Sequence, residues 1–226
     1  MSSEGLQIRM LGSFSLALGE QEINDGDNRS RKVWLLLAYM IYCRNRVVTQ
    51  EELVSLLWGE EEGSTNPLNA LKTMFHRVRS MLNQLGDSVG HNLIVRRGGS
   101  YSWNTDIPVT VDVECFDALC RAGNGEVNEA KRLEHYRKAL ALYEGDFLSK
   151  LSAEPWVVPI AAYFHNLYAQ VAQETLPLLE GIGEKEEAVR LCRKALEVEP
   201  YSEELYRHLM RNLLDLGDQR GGCGGL

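Results

Sequence analysis

The stretch from Asn66 to Leu85 constrains the fold most, because its apolar and cationic residues separate almost completely around a helix. Asn66 followed by Pro67 is typical of a helix start, with an N-cap residue and a proline in the first turn. At about 100° per residue, one arc is apolar and contains Leu71, Met74, Phe75, Val78, Met81, Leu82 and Leu85. The opposite arc contains Asn69, Lys72, Thr73, His76, Arg79, Ser80 and Asn83, with Arg77 at its edge. The spacing therefore predicts an amphipathic helix over residues 67–85 with one buried face.

The polar arc of this helix carries cations and no acid, whereas a face that is merely solvated usually mixes both signs. An ordinary amphipathic helix is the alternative interpretation. We favour contact with nucleic acid, because Lys72 and the arginines can neutralise phosphates while Asn69, His76 or Arg77 can present hydrogen-bonding groups to base edges. The pattern leaves open which of them reads a base.

The charge of the chain is unevenly distributed along its length. The net charge is −8, but residues 1–105 hold 11 Lys and Arg against 11 Asp and Glu, so the excess acid lies after residue 105. Between residues 64 and 105 there are Lys72, Arg77, Arg79, Arg96 and Arg97 against a single acid, Asp87. Because local basic faces govern the approach to DNA, the acidic total does not exclude a DNA-binding function.

The segments that flank this helix predict a winged helix-turn-helix. LQIRMLGSFSLALG alternates apolar and polar residues around a glycine, which indicates a β-hairpin, and EQEI adds a short third strand. RSRKVWLLLAYMIYCRN is long and apolar enough for a buried helix, and Thr49 with Glu52 forms a capping box that starts another. NLIVRRGGSYSWN indicates a second hairpin around Gly98 and Gly99. Three helices followed by a basic hairpin are the layout of a winged helix.

The chain after residue 106 is predicted to be a separate helical domain. TDIPVTVD is extended and contains proline, so we place the domain boundary there. Residues 1–106 are assigned to the first domain and residues 107–226 to the second. Ala188, Cys192, Ala195 and Pro200, followed by Tyr206, Leu209, Leu213 and Gly217, have the spacing of a tetratricopeptide unit that restarts. The predicted fold is therefore an α+β N-terminal winged helix-turn-helix followed by an all-α tetratricopeptide-like helical repeat domain.

These motifs together resemble a known family. LQIRMLGSFSL, RKVWLLLAYMI, VVTQEELVSLLWGE, NALKTMFHRVRSML and IVRRGGSYSW are similar to the OmpR-type winged helix of SARP-type regulators, and VDVECFDAL with the following helices resembles their bacterial transcriptional activator domain. The resemblance covers residues 6 to about 217. It implies a cytoplasmic bacterial transcriptional activator that binds promoter DNA, with the third helix in the major groove and the wing at the minor groove.

The resemblance also implies which residues contact partners. Asn69, Lys72, Thr73, His76 and Arg77 are expected to face DNA, with Arg96 and Arg97 in the wing. Adjacent strand residues point to opposite faces, so at most one wing arginine is expected to insert toward DNA, and the choice stays open. The acidic loop Gly59–Thr65 matches a loop that contacts RNA polymerase in such regulators. Independently of the resemblance, Arg29, Arg31 and Lys32 precede an apolar helix, where cations are unfavourable to the helix dipole. Phosphate contact at that helix start and a loop that points elsewhere both stay open, and Arg46 is a weaker candidate.

The sequence departs from the family pattern in the wing, the recognition helix and the last segment. Ser100 stands where the wing usually has glycine, Ser102 where a basic residue is frequent, and His76 where a small hydroxyl residue is common. DLGDQRGGCGGL ends where such domains usually continue with further helices, so we expect apolar surface that a partner chain covers, for example in a homodimer.

The sequence gives no indication of an enzyme, a metal site or a cofactor. It contains neither GxSxG nor HExxH, and its cysteines form no CxxC pair or Cys/His cluster. No stretch reaches the ~20 apolar residues of a membrane-spanning helix, so a cytoplasmic protein is expected. The alternative function is a protein-binding adaptor that uses the repeat groove, with the winged helix as an interaction module. An adaptor, however, has no need for an acid-free exposed face on the third helix.

Overall fold

The chain divides into two compact units, Met1–Val111 and Asp112–Leu226. The computed structural model describes residues 5–26, 30–59 and 66–222, with side chains as far as Gly217. The first unit is α+β and the second is helical, which confirms the predicted fold class. The predicted boundary at 106/107 lies slightly before the division between the units, because Val109–Val111 is a strand that pairs with the first strand of the chain.

The first unit contains both predicted hairpins and the three predicted helices. Its strands are β1 (Leu6–Arg9), β2 (Ser15–Leu18), β3 (Gln21–Asn24), β4 (Val48–Thr49), β5 (Ile94–Arg97), β6 (Ser100–Trp103) and β7 (Val109–Val111). Its helices are α1 (Arg31–Tyr42), α2 (Gln50–Trp58), α3 (Pro67–Leu82) and α4 (Val89–Leu93), and a 3-10 turn (Asn83–Leu85) follows α3. The prediction that α3 continues to residue 85 was therefore wrong for its last three residues, which form a 3-10 turn instead of α-helix.

The strands form two sheets. One has the order β3-β2-β1-β7, in which β7 runs parallel to β1 and the other neighbours are antiparallel. The other has the order β4-β6-β5 and is antiparallel throughout. Helix α1 follows β3 and precedes β4 in sequence, and its side chains from Val33 to Ala38 are all buried. The predicted start of α2 is confirmed, because the Glu52 N–H donates a hydrogen bond to the Thr49 hydroxyl over 3.2 Å.

The second unit consists of helices that pack against their neighbours in sequence. They are α5 (Asp112–Gly125), α6 (Glu129–Leu142), α7 (Val157–Gly181), α8 (Lys185–Val198) and α9 (Glu203–Gly222). The small residues predicted for the repeat on α8, Ala188, Cys192 and Ala195, are buried where α8 packs against its neighbours. On α9 the prediction was less accurate. Tyr206 and Leu213 are 45% and 43% exposed, whereas the buried positions are Leu205 and Asn212.

Among the residues that the structure describes, no helix combines the length and the apolar content that crossing a bilayer requires.

Tyr136 joins three helices of the second unit. Its ring is buried on α6, and its hydroxyl lies 2.8 Å from Asn124 Oδ1 on α5 and 2.5 Å from Glu174 Oε2 on α7. Gly123 lets α5 approach this ring closely, since an added Cβ would lie 2.3 Å from the Tyr136 Cε1. The glycine is therefore required by packing rather than by backbone conformation.

Gly123→Ala is expected to lower the free energy of unfolding by about 1–3 kcal/mol, because the methyl group would overlap the ring of a buried tyrosine. Gly125→Ala is the matched control, since an added Cβ there meets nothing within 4 Å and the substitution lies on the same helix. Urea unfolding monitored by circular dichroism measures both variants. Equal midpoints for the two variants would contradict this close approach.

A histidine between two carboxylates links α7 to the segments that precede α7 and follow α8. His165 Nδ1 lies 3.1 Å from Asp146 Oδ1, and its Nε2 lies 2.7 Å from Glu199 Oε1. The Tyr143 hydroxyl also donates to Asp146 over 2.7 Å. Burial lowers the pKa of His165, but the hydrogen bonds to Asp146 and Glu199 outweigh burial, so its pKa lies above the ordinary value.

The stability contributed by His165 is therefore expected to depend on pH. Because the pKa is raised in the folded state, the contribution is fully present below the ordinary pKa of about 6.5 and is lost as the pH rises through the raised value. Relative to His165→Gln, the native protein should be more stable by about 1 kcal/mol at pH ~6, and this advantage should shrink as the pH rises through the raised pKa. Unfolding midpoints across this range test it, and an advantage that grows with pH would refute the sign.

Candidate nucleic-acid interface

Helix α3 begins where the sequence predicts and turns its apolar stripe inward. The Asn66 side chain accepts a hydrogen bond from the Asn69 N–H over 3.1 Å, and Pro67 occupies the first turn. The buried residues of the helix are Leu71, Met74, Phe75, Val78, Met81 and Leu82. Burial of this stripe fixes the rotation of the helix about its own axis, so the opposite face points to solvent.

The outward face of α3 carries the predicted contact residues. Asn69, Lys72, Thr73, His76 and Arg77 are all exposed. The Thr73 hydroxyl donates to the Asn69 carbonyl over 3.1 Å, so this hydroxyl is engaged with the helix backbone and its methyl group is the free part. No residue of Pro67–Leu82 is acidic. The face can therefore present cationic, amide and imidazole groups to a phosphate-bearing partner.

A hollow of about 510 Å³ lies beside the C-terminal half of this face. His76 and Arg77 line it together with Ser80 and Gln84 of the same helix region, while Ser30 and Val33 contribute from the start of α1. The first turn of α1 contains no acidic residue, and the partial positive charge of a helix N-terminus attracts anions. The electrostatics of the hollow favour an anionic group.

Arg79 departs from the prediction that places it on the exposed arc. Its Nη2 donates to the buried carbonyl of Ile94 over 2.9 Å, which ties α3 to the first wing strand. Gly90 of α4 packs against the backbone of the same arginine, since an added Cβ would lie 2.4 Å from the Arg79 carbonyl oxygen. The helical wheel misses this, because the side chain reaches around the helix to a strand that is separated from it in sequence.

Arg46 also has a structural role. Its guanidinium donates to both carboxylate oxygens of Glu52, over 2.5 and 3.0 Å, and the Tyr39 hydroxyl donates to the same carboxylate. The hydrogen bond from Arg46 is the main reason that the pKa of Glu52 lies below its ordinary value. This cluster connects the end of α1 to α2, and the prediction of phosphate contact by Arg46 loses its basis.

The wing is the hairpin formed by β5 and β6. Arg96 lies opposite Tyr101 and Arg97 opposite Ser100, with Gly98 and Gly99 in the turn. Both glycines have positive φ, 52° and 85°, as a two-residue hairpin turn of type I′ requires. Because adjacent residues alternate, the two arginines project from opposite faces of the hairpin. Both are exposed, and Arg97 directly precedes the turn.

The wing and α3 meet through two aromatic rings. Phe75 of α3 stacks on Tyr101 of β6 with ring centroids 3.7 Å apart and an interplanar angle of 9°. Both side chains are 1% exposed. The structure therefore brings the α3 candidates and the wing arginines together in one rigidly packed unit.

Three sequence-based candidates lie outside the described residues. They are Arg29, most of the acidic loop Gly59–Thr65, from residue 60 onward, and the terminal segment that contains Cys223. Within the described part of the chain, no group of three or more His, Cys, Asp or Glu side chains is arranged to hold a metal ion.

Comparison with known proteins relates the second half of the chain to a described family and most of the chain to a known fold. Residues 111–221 match the family described as bacterial transcriptional activator domain. A search of curated proteins finds no match. Among solved structures, the chain is similar to Mycobacterium tuberculosis EmbR, determined in complex with a low affinity phosphopeptide, with a TM-score of 0.69 and 21% sequence identity. The similarity covers 92% of this chain and 54% of the EmbR chain, so this chain spans about half the length of that relative. The match confirms the predicted arrangement of a winged helix followed by helical repeats.

The two arginines near the end of α3 are expected to respond differently to substitution. Arg79→Met should lower the free energy of unfolding by about 1–3 kcal/mol, because the buried Ile94 carbonyl loses its charged donor. Arg77→Met should change it by less than about 0.5 kcal/mol, since its side chain is exposed. Urea unfolding of both variants tests this. Equal losses would show that Arg79 is as dispensable to the fold as Arg77.

Proposed function

We propose that this chain, whose residues 111–221 match the bacterial transcriptional activator domain, is a SARP-like transcriptional regulator and that its first unit binds double-stranded promoter DNA sequence-specifically. The observation that carries the proposal is the exposed face of α3. It presents cations, an amide and an imidazole without any acid, on a helix whose other face is buried in the unit. Such a face is suited to a major groove lined by phosphates.

The α3 side chains have separate roles in this proposal. Lys72, with its flexible cationic chain, contacts phosphate and fixes the position of the helix on the duplex. Asn69, His76 and Arg77 carry groups able to hydrogen-bond to base edges, and the free methyl group of Thr73 suits an apolar contact with a thymine methyl. The hollow beside His76 and Arg77 is the proposed seat of a backbone phosphate.

The wing is proposed to reach the adjacent minor groove through an arginine. Arg97 is the stronger candidate, because it is exposed next to the turn and projects from the face of the hairpin opposite Tyr101. A narrow minor groove attracts guanidinium groups through its negative potential.

Activation is proposed to involve RNA polymerase at the loop Gly59–Thr65. The loop holds Glu60, Glu61 and Glu62, and such a run of carboxylates would be repelled by phosphate but attracted by a basic protein surface. The second unit is proposed to mediate dimerisation or to sense a signal. Large apolar side chains exposed on α9, such as Met210 and Leu214, support a role in contacts with another chain.

Duplex DNA selected from random sequence by the full chain provides the test. Lys72→Ala combined with Arg77→Ala is expected to weaken binding roughly tenfold to a hundredfold and to reduce the dependence of log K on log salt by nearly two, because two cations no longer displace counterions. Fluorescence anisotropy at several salt concentrations measures both quantities. Arg9→Ala, which removes one exposed cation from β1, should leave them almost unchanged.

Two outcomes would count against the proposal. Undiminished binding by the double variant, with its fold intact by circular dichroism, would remove α3 as the recognition helix. A chain that has no affinity for DNA at low salt, but copurifies with a stable protein partner, would favour the adaptor function.

A further inference from the structure

We propose that Arg96 is a positioning residue for the wing, which acts through the Tyr101 ring rather than by touching DNA. This inference rests on the proposed function, since it concerns how the wing is aimed. It assigns different roles to two arginines that are adjacent in sequence and of the same residue type.

Strand register places Arg96 on the helix-facing side of the hairpin. Arg96 lies directly opposite Tyr101 in the β5–β6 ladder, so both side chains project from the same face. On that face Ile94, Tyr101 and Trp103 are all buried. Arg96 is thus the exposed end of a row that otherwise packs against the rest of the unit.

The Arg96 guanidinium contacts the ring that organises this row. Its central carbon lies over the Tyr101 ring, 5.9 Å from the centroid. The same ring stacks on Phe75 at 3.7 Å, and its residue pairs with Val48 in β4, which leads directly into α2. The attraction between a cation and the quadrupole of an aromatic ring is stronger where the contact is desolvated than where it is fully exposed to water. Tyr101 therefore joins the wing, α3 and the strand before α2, and Arg96 holds the free end of the wing onto it.

The geometry separates the two arginines functionally. A wing that pivots about its turn would move Arg97 relative to α3, and the Arg96 contact restrains that movement at the strand position next to Arg97. Arg96 thereby contributes to affinity by holding Arg97 in place, while its own charge neutralises no phosphate. Salt dependence distinguishes these contributions, because the slope of log K against log salt counts only the phosphates that are neutralised.

The test compares Arg96→Met, Arg96→Lys and Arg97→Met in the full chain on the selected duplex. Arg96→Met should weaken binding roughly threefold to tenfold and lower the salt slope by much less than one, because Arg97 is held less firmly but keeps its charge, whereas Arg97→Met should lower the slope by about one. Arg96→Lys should recover most of the affinity, because an ammonium group can also lie over the ring. In the double Met variant, the effect of losing Arg97 should be smaller than in the native background, since the wing is no longer held.

A second measurement does not require DNA. Amide hydrogen exchange of the free protein should be several-fold faster across β5 and β6 in Arg96→Met, but unchanged in Arg96→Lys and Arg97→Met. Failure of the native chain to bind DNA would refute the proposed function and leave this measurement to decide the role of Arg96. Unchanged exchange in Arg96→Met, a slope reduced as much as in Arg97→Met, or additive effects of the two substitutions would each overturn the inference.

Discussion

The stack of Phe75 on Tyr101 is the contact on which the candidate interface depends. One ring belongs to the buried stripe of α3 and the other to the central strand of the β4-β6-β5 sheet. Because both rings are excluded from water, their separation would expose a large apolar area, and the helix and hairpin are held as one body. The hydrogen bond from Arg79 to Ile94 fixes a second point about one turn further along α3. Two such points define the orientation of the helix relative to the hairpin, which one point cannot do.

The basic residues of the first unit divide into structural and available groups. Arg46 and Arg79 are committed to a carboxylate and a buried carbonyl, and Lys32 lies over the Trp58 ring at 5.3 Å. Each of these contacts positions an element around α3. The exposed candidates Lys72, Arg77 and Arg97 project from the elements that are positioned in this way. A count of cations along the sequence therefore overstates the charge that is available to a partner.

The elements that sequence reasoning predicted well are those whose determinants are local. The cap at Asn66, the stripe from Leu71 to Leu82 and the Gly98–Gly99 turn depend on residues within a few positions of one another, and the structure contains all three. The features that sequence reasoning missed depend on partners that are distant in sequence. Strand β7 pairs with β1, and the Arg79 side chain donates a hydrogen bond to β5. For the wing, alternation alone establishes that Arg96 and Arg97 face opposite ways. The choice between them requires the position of the Tyr101 ring, which a sequence pattern cannot supply.

The uneven distribution of charge along the chain reconciles its acidic composition with the proposed DNA partner. The chain has a net charge of −8, all of it contributed after residue 105. At physiological ionic strength, exposed charges are screened over about 8 Å, so acids beyond that range from the interface do little to repel a duplex. The segment from residue 64 to 105, which contains α3 and the wing, holds five cations and a single acid, Asp87. The acidic excess after residue 105 disfavours binding of DNA to the second unit itself. If the proposed interface is correct, attraction is therefore expected at the basic face of the first unit rather than at the second unit.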